Sequence, residues 1–139
     1  MQHVRRHTII VLLFLFAGWW AALNSGCGAP SYKQGENLYR TYCANCHMED
    51  GSGLAQLIPP LASSDWLRDN QDTLPCIIYH GMSGPIIVNG IEFDGQMPSN
   101  KQLTPVLINN IINYINHAWG NDFGQADIRH TEAALEKCR

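Results

Sequence analysis

The sequence predicts an all-α fold of three to five helices with one small β-hairpin. The clearest helix begins after Thr104, a good N-cap, with Pro105 at the first helical position. Leu103 and Ile108 can pack across this start as a hydrophobic staple, and Gly120 is expected to end the helix. Asn89-Gly90 lies between two short β-type runs, which is a strong signal for a two-residue hairpin.

A shorter helix is predicted from Leu74 to His80, ended by Gly81. Together with the other signals it places a compact domain at residues 35–120. Residues 121–139 follow as a polar tail with one helical stretch and no catalytic pattern.

The N-terminal segment has the layout of a secretory signal. Ile9 to Leu23 contains no charged residue, and Arg5 and Arg6 stand just before it. These fifteen residues fall short of the roughly 20 that a membrane-spanning helix needs. Residues 1–26 are therefore predicted to be a signal segment, with an uncleaved membrane anchor as the alternative.

The end of this segment, Leu23-Asn24-Ser25-Gly26-Cys27, resembles a bacterial lipoprotein signal, although Asn24 stands where an aliphatic residue is usual. We expect Cys27 to be lipidated and to tether the protein to the periplasmic side of a bacterial membrane. Residues 27–34 would then be a linker.

Charge argues against some partners. Removal of residues 1–26 leaves seven basic residues against twelve acidic ones, a net charge of −5. This balance disfavours nucleic acid and anionic membrane surfaces as binding partners. Redox partners are expected to dock through a basic or an apolar patch.

The motif Cys43-Ala44-Asn45-Cys46-His47 has the C-x-x-C-H spacing of covalent haem attachment. Two thiols three residues apart on one helical turn can each bond a haem vinyl group, and the following imidazole can bind the iron. A zinc site would need a second pair of ligands, and a thioredoxin-like pair would follow a strand. The motif therefore predicts one haem c, with His47 as an axial ligand.

With this motif, residues 33 to about 120 resemble the class I cytochrome c family. Gly35 and Tyr39 stand twelve and eight residues before His47, where the family crosses its N-terminal and C-terminal helices. Ile111 and Tyr114 resemble the matching aliphatic and aromatic pair on the C-terminal helix. The resemblance implies an all-α fold around one mostly buried haem.

The resemblance also implies roles for two residues after the motif. Pro59 stands twelve residues after His47, where the family has a proline whose carbonyl accepts the Nδ1–H of the axial histidine. Leu61 would pack against the haem. The alternative for Pro59 is a plain turn proline.

Met97 is the predicted sixth iron ligand. It lies in Gly95-Gln96-Met97-Pro98, ahead of the last core helix, which matches the family's ligand in context and order. Met82 and His80 are the weaker candidates, and an open site is the remaining alternative. A lone methionine is usually a core residue, so the prediction depends on the Met-Pro context.

The segment from His80 to Pro98 resembles a bacterial subset of cytochromes c that carry a hairpin before the ligand methionine. We expect the hairpin to shield one haem edge; otherwise it is a simple decorated loop.

Cys76 and Cys138 remain after the other cysteines are assigned. In an oxidising compartment they suggest a disulfide, and two unrelated thiols are the alternative.

The predicted function is membrane-tethered transfer of single electrons between respiratory or dehydrogenase partners outside the cytoplasm, by a protein that is not an enzyme. A permanently bound electron-transfer subunit of a respiratory complex is the first alternative. An open-site haem enzyme or sensor is the second, and it requires that Met97 does not bind the iron.

Overall fold

The computed structural model describes residues 32–138, so the signal segment, Cys27 and Arg139 lie outside the described residues. Six helices and two strands follow in chain order: α1 Lys33–Tyr42, α2 Ala44–His47, α3 Asp65–Asp69, α4 Leu74–His80, β1 Ile86–Val88, β2 Ile91–Phe93, α5 Pro105–His117 and α6 Ile128–Lys137. The predicted all-α fold with a hairpin is confirmed. In the part of the chain from residue 32 to 138, no helix is long and apolar enough to cross a membrane.

The six helices exceed the predicted three to five because some helical segments are short and separate. Cys43 leaves the helical conformation, at φ −124° and ψ −39°, and so divides α1 from the four-residue α2. α1 also begins at Lys33, inside the stretch assigned to the linker.

The fold centres on the crossing of α1 and α5. Gly35 of α1 lies against the Asn110 carbonyl of α5. A Cβ atom added at Gly35 would collide with that oxygen and with the Cβ of Tyr114. A glycine at this point lets the two backbones approach closely. Ile108 and Ile111 of α5 are fully buried beside the crossing.

Three aromatic side chains pack at the C-terminal end of this crossing. Tyr39 is fully buried, and its ring centroid lies 5.4 Å from that of Tyr114 and 5.0 Å from that of Trp119. α5 ends at His117, three residues before the predicted Gly120. Trp119 has a φ of +55° and turns back onto Tyr39, so packing ends the helix earlier than the glycine signal.

The predicted hairpin is present, with its two-residue turn at Asn89-Gly90. Ile86 pairs with Phe93 and Val88 pairs with Ile91, with Asn89 and Gly90 as the connecting residues. Both connecting residues have positive φ, +51° and +77°, as a type I′ turn requires.

The polar tail after residue 120 packs against the helices of the domain. Asn113 of α5 forms two hydrogen bonds with the backbone of Ala126, at 3.1 and 2.9 Å, and Asn116 donates to the Gly124 carbonyl at 3.0 Å. In α6, Thr131 is buried and donates to Asn109 at 2.9 Å. α6 packs against both α4 and α5.

The α1–α5 crossing generates the first testable prediction. Gly35→Ala should lower the free energy of unfolding by about 1–3 kcal/mol, because the new methyl group meets backbone that cannot rotate away. Denaturant unfolding of the purified protein measures the change. Gln34→Ala, an exposed position on the same helix, should stay within about 0.5 kcal/mol of the wild type. An equal effect of the two substitutions would contradict a close crossing at Gly35.

Candidate haem site

The helices and the hairpin surround one main cavity with an almost wholly apolar wall. The space between these elements, part of which is open to solvent, amounts to about 640 Å³. Every described helix except α6 contributes to the wall, as do the Pro59–Leu61 loop and strand β1. Its lining includes Tyr39, Cys43, His47, Pro59, Leu61, Trp66, Leu67, Leu74, Ile77, Ile78, Met82, Ile86, Val88, Met97, Ile111 and Ile115.

A second, adjoining cavity of about 500 Å³ shares several of these residues and adds Cys46 and Leu57. His47, Pro59 and Met97 line both cavities. The two cavities are therefore neighbouring parts of the space that contains the predicted iron ligands.

His47 has a fixed tautomer. Its Nδ1 lies 3.1 Å from the carbonyl oxygen of Pro59, and a carbonyl can only accept, so Nδ1 carries the proton. Burial lowers the pKa of His47, although the bond to Pro59 opposes the shift. The neutral imidazole keeps its Nε2 lone pair free, which is the form that binds a metal.

The turn after His47 is held by two aromatic side chains. The Tyr39 hydroxyl donates to the Met48 carbonyl at 2.6 Å, and the Trp119 indole N–H donates to the Glu49 carbonyl at 3.0 Å. Met48 itself has a φ of +63°, which is uncommon for a residue other than glycine. The two hydrogen bonds stabilise this turn and so fix the backbone that carries His47. Burial raises the pKa of Tyr39, which keeps its hydroxyl a donor.

The two motif cysteines have free thiols beside this space. Cys43 lines the main cavity and Cys46 the adjoining one, within one turn of chain in which the His47 N–H bonds to the Cys43 carbonyl at 2.9 Å. Burial, and then the neighbouring Cys46, raise the pKa of the Cys43 thiol to about 12. A redox-active C-x-x-C pair needs a lowered pKa, so this environment disfavours the thioredoxin-like alternative.

Met97 and Met82 lie next to each other at the cavity. They form an isolated antiparallel bridge, with hydrogen bonds of 3.1 Å from Met82 N to Met97 O and 2.8 Å from Met97 N to Met82 O. Directly opposed residues of an antiparallel pair point to the same face, and both methionines line both cavities. Both thioethers are therefore placed at the site.

The other candidate ligands are placed elsewhere. His80 is exposed, packs edge-on against Tyr79, and lines neither cavity. His117 stacks on the Tyr32 ring at 4.5 Å, and His130 lies 3.2 Å from the Asp72 carboxylate. Among residues 32–138, Met82 and Met97 are the candidate partners for His47 that line the cavity wall.

The model of one protein family matches more than half of the chain. Its description is cytochrome c oxidase, cbb3-type, subunit III, and it covers residues 30–115. The chain belongs to this family of c-type cytochromes. Covalently bound haem c is the cofactor, and the free Cys43 and Cys46 thiols, the neutral His47 and the apolar wall fit it.

The chain is similar to two different kinds of cytochrome, one of which is a subunit of a dehydrogenase. A cytochrome c-552 of Thermus thermophilus is 32% identical over 115 residues, which cover 80% of this chain and 72% of the relative. The cytochrome c subunit of the quinone alcohol dehydrogenase of Gluconacetobacter polyoxogenes is 35% identical over 89 residues. That match covers 63% of this chain but only 19% of the relative.

Some residues of this cytochrome site were not identified from sequence. Ile86 and Val88 of β1 line the main cavity, so the hairpin contributes to its wall, and their i, i+2 spacing is the signal that could have placed them. Trp66 and Leu67 of α3 also line it. No local pattern identifies Trp119, whose contact with the turn after His47 spans 70 residues.

The structure contains the suggested disulfide. Cys76 and Cys138 are bonded, with their Cα atoms 6.1 Å apart, within the usual range. The bond joins α4 to the residue that follows α6.

Covalent attachment generates the second prediction. Replacement of both Cys43 and Cys46 by serine should leave no thioether, so acid acetone should extract all haem that remains bound. Each single replacement should leave at most one thioether. Asn45→Ala, an exposed change between the two cysteines, should keep the haem on the polypeptide. Free extraction of haem from the wild type would contradict covalent attachment.

Proposed function

We propose that this cytochrome is a membrane-tethered monohaem carrier that transfers single electrons between redox proteins outside the cytoplasm. The observation that carries the proposal is the placement of His47 and Met97 in the wall of one apolar cavity. Haem c supplies a ferric–ferrous couple there. His47 and Met97 would hold the haem iron through an imidazole and a thioether, which would leave no position for a substrate, so that outer-sphere electron transfer would remain.

The apolar wall supports the same function. Leu74, Ile78 and Ile111 are almost fully buried and line the cavity together with the Met97 side chain. Carbon-lined surroundings and a thioether ligand both favour the ferrous state, so we expect a fairly high reduction potential. A peroxidase site would instead need polar groups positioned over the iron.

Partner docking is best supported at the adjoining cavity. Leu57 lines it and is 67% exposed, and Leu54, three residues earlier, is 45% exposed. Exposed leucines beside the haem space would allow close apolar contact with a redox partner, while the acidic surface would favour a partner with basic residues around that contact.

A permanently bound subunit is the second candidate, with the same chemistry. Its support is that the matching family is described as a subunit of a cytochrome c oxidase and that one relative is a subunit of a dehydrogenase. Copurification from native membranes separates the two: a carrier should be recovered alone, and a subunit should be recovered with its complex.

The ligand assignment gives the third prediction. Ferric wild-type protein should show the weak red absorption band typical of iron–methionine bonding. Met97→Ala should abolish the band, lower the reduction potential and open the iron to carbon monoxide. Met97→His should keep six ligands and still lower the potential, because imidazole stabilises ferric iron better than a thioether does.

Met82→Leu is the matched control, since it removes the other thioether at the cavity and conserves volume. It should leave the band intact, as should His80→Ala. A band that is lost in Met82→Leu and kept in Met97→Ala would transfer the assignment to Met82. Rapid carbon monoxide binding to the reduced wild type would contradict the carrier function itself.

The tether gives the fourth prediction. Cys27→Ala should release the protein into the soluble periplasmic fraction, because lipidation needs that thiol. One acyl chain binds membranes only marginally, so a stable tether requires several. Intact mass should show a mature protein that starts at an acylated Cys27; a mature chain that still starts at Met1 would support the uncleaved anchor instead.

A further inference from the structure

The disulfide between Cys76 and Cys138 has one cysteine in α4, and the end of this helix forms hydrogen bonds with the segment that carries Met97. Cys76 is in α4, and Ile77 and Ile78 of the same helix line the main cavity. Movement of α4 would therefore change the cavity wall as well as the segment attached to its end.

The C-terminal carbonyls of α4 hold both sides of the methionine bridge. The N–H of Gly81, the residue before Met82, donates to the Ile77 carbonyl at 2.8 Å. The N–H of Asn100, three residues after Met97, lies 3.2 Å from the carbonyls of both Ile78 and Tyr79. The segment that carries Met82 and Met97 thus leaves α4 and returns to it.

α4 has little local support of its own. It is seven residues long, and its N-cap residue Thr73 makes no side-chain hydrogen bond to the helix. A helix this short is marginal without tertiary contacts. The disulfide ties it to α6, which is itself anchored to α5 through Thr131 and Asn109.

We propose that the Cys76–Cys138 disulfide is a positioning element of the iron site, which keeps Met97 on the iron by fixing α4. This inference rests on the proposed role of Met97 as a ligand. The opposite ligand should be insensitive to the bond, because His47 is held by Pro59 and its turn by Tyr39 and Trp119. Loss of the disulfide should therefore weaken the methionine bond and leave the haem attached.

The bond is accessible to a reductant. Both cysteines line a surface groove together with Asp72, Thr73, His130 and Lys137. A dithiol would attack one sulfur as a thiolate to give a mixed disulfide, and its second thiol would then displace the remaining protein sulfur. Two electrons and two protons pass to Cys76 and Cys138, and the dithiol leaves as its own disulfide.

The fifth prediction compares imidazole binding to the ferric full-length holoprotein and to a variant without the disulfide. Imidazole can bind only when Met97 leaves the iron, so its apparent affinity reports the population of the open state. Cys76→Ser/Cys138→Ser should bind imidazole at least about tenfold more tightly, with a weaker red band.

Ile112→Val is the matched control, because it removes one buried methylene group of α5 at a position that lines neither cavity and is not part of the link from α4 through the disulfide to α6. Thermal unfolding is measured for every variant, and the control should lose stability without a change in imidazole affinity. Equal tightening in Ile112→Val, or unchanged affinity in the double serine variant, would overturn the positioning role.

Reduction of the wild type makes the test independent of whether the serine variant folds. The holoprotein is treated with a dithiol, its thiols are alkylated, and the iron is reoxidised before the titration. The same tightening of imidazole binding supports the proposal, and unchanged affinity refutes it. Failure of the ligand assignment is seen separately, as the absence of a red band in the untreated wild type.

Discussion

The hydrogen bond from His47 to the Pro59 carbonyl is the constraint on which the rest of the site depends. It sets the tautomer of the imidazole and directs the Nε2 lone pair away from Pro59. Its backbone support comes from Tyr39 and Trp119, which bind the carbonyls of the two residues after His47. Tyr39 can do this only because Gly35 brings α1 close enough to α5 for the aromatic side chains to pack together. The helix crossing, the aromatic cluster and the axial ligand are one connected arrangement.

The two predicted iron ligands, His47 and Met97, are held in different ways. His47 directly follows Cys46 in the four-residue α2, and Cys43 immediately precedes that helix. Met97 comes fifty residues later, on a segment held by the Met82 backbone and by the end of α4. The histidine side is held by the Pro59 carbonyl and by buried aromatic packing that includes the distant Trp119. The methionine side depends on a short helix whose position is set by α5, α6 and a disulfide.

Sequence reasoning was accurate where the determining interactions are local. The hairpin turn at Asn89-Gly90, the helix from Leu74 to His80 and the start of α5 after Thr104 each depend on neighbouring residues, and each is confirmed. It was less accurate where distant packing decides. Gly120 does not end α5, because Trp119 folds back onto Tyr39 first. The helical stretch predicted in the polar tail is present as α6, but the attachment of the tail to α5 was not predicted, because the asparagines that bind it act on backbone groups that no periodicity identifies. The ligand roles of Met97 and His47 stay predictions, although the structure places both side chains in one cavity.

Because His47 and Met97 are supported by different parts of the fold, changes on the Met97 side could alter the reduction potential separately from haem attachment. Covalent attachment and the His47 arrangement keep the haem in place whatever happens to the other ligand, so the sixth position can be modified without loss of the cofactor. The strength of an iron–thioether bond affects the reduction potential, and the proposed bond to Met97 depends on a segment held by the end of α4. Polar side chains on α5 hold residues 124–126, and through Cys138 the end of the chain holds α4. On the proposed role of the disulfide, a C-terminal segment that does not line the main cavity would influence the potential at which the cytochrome exchanges electrons.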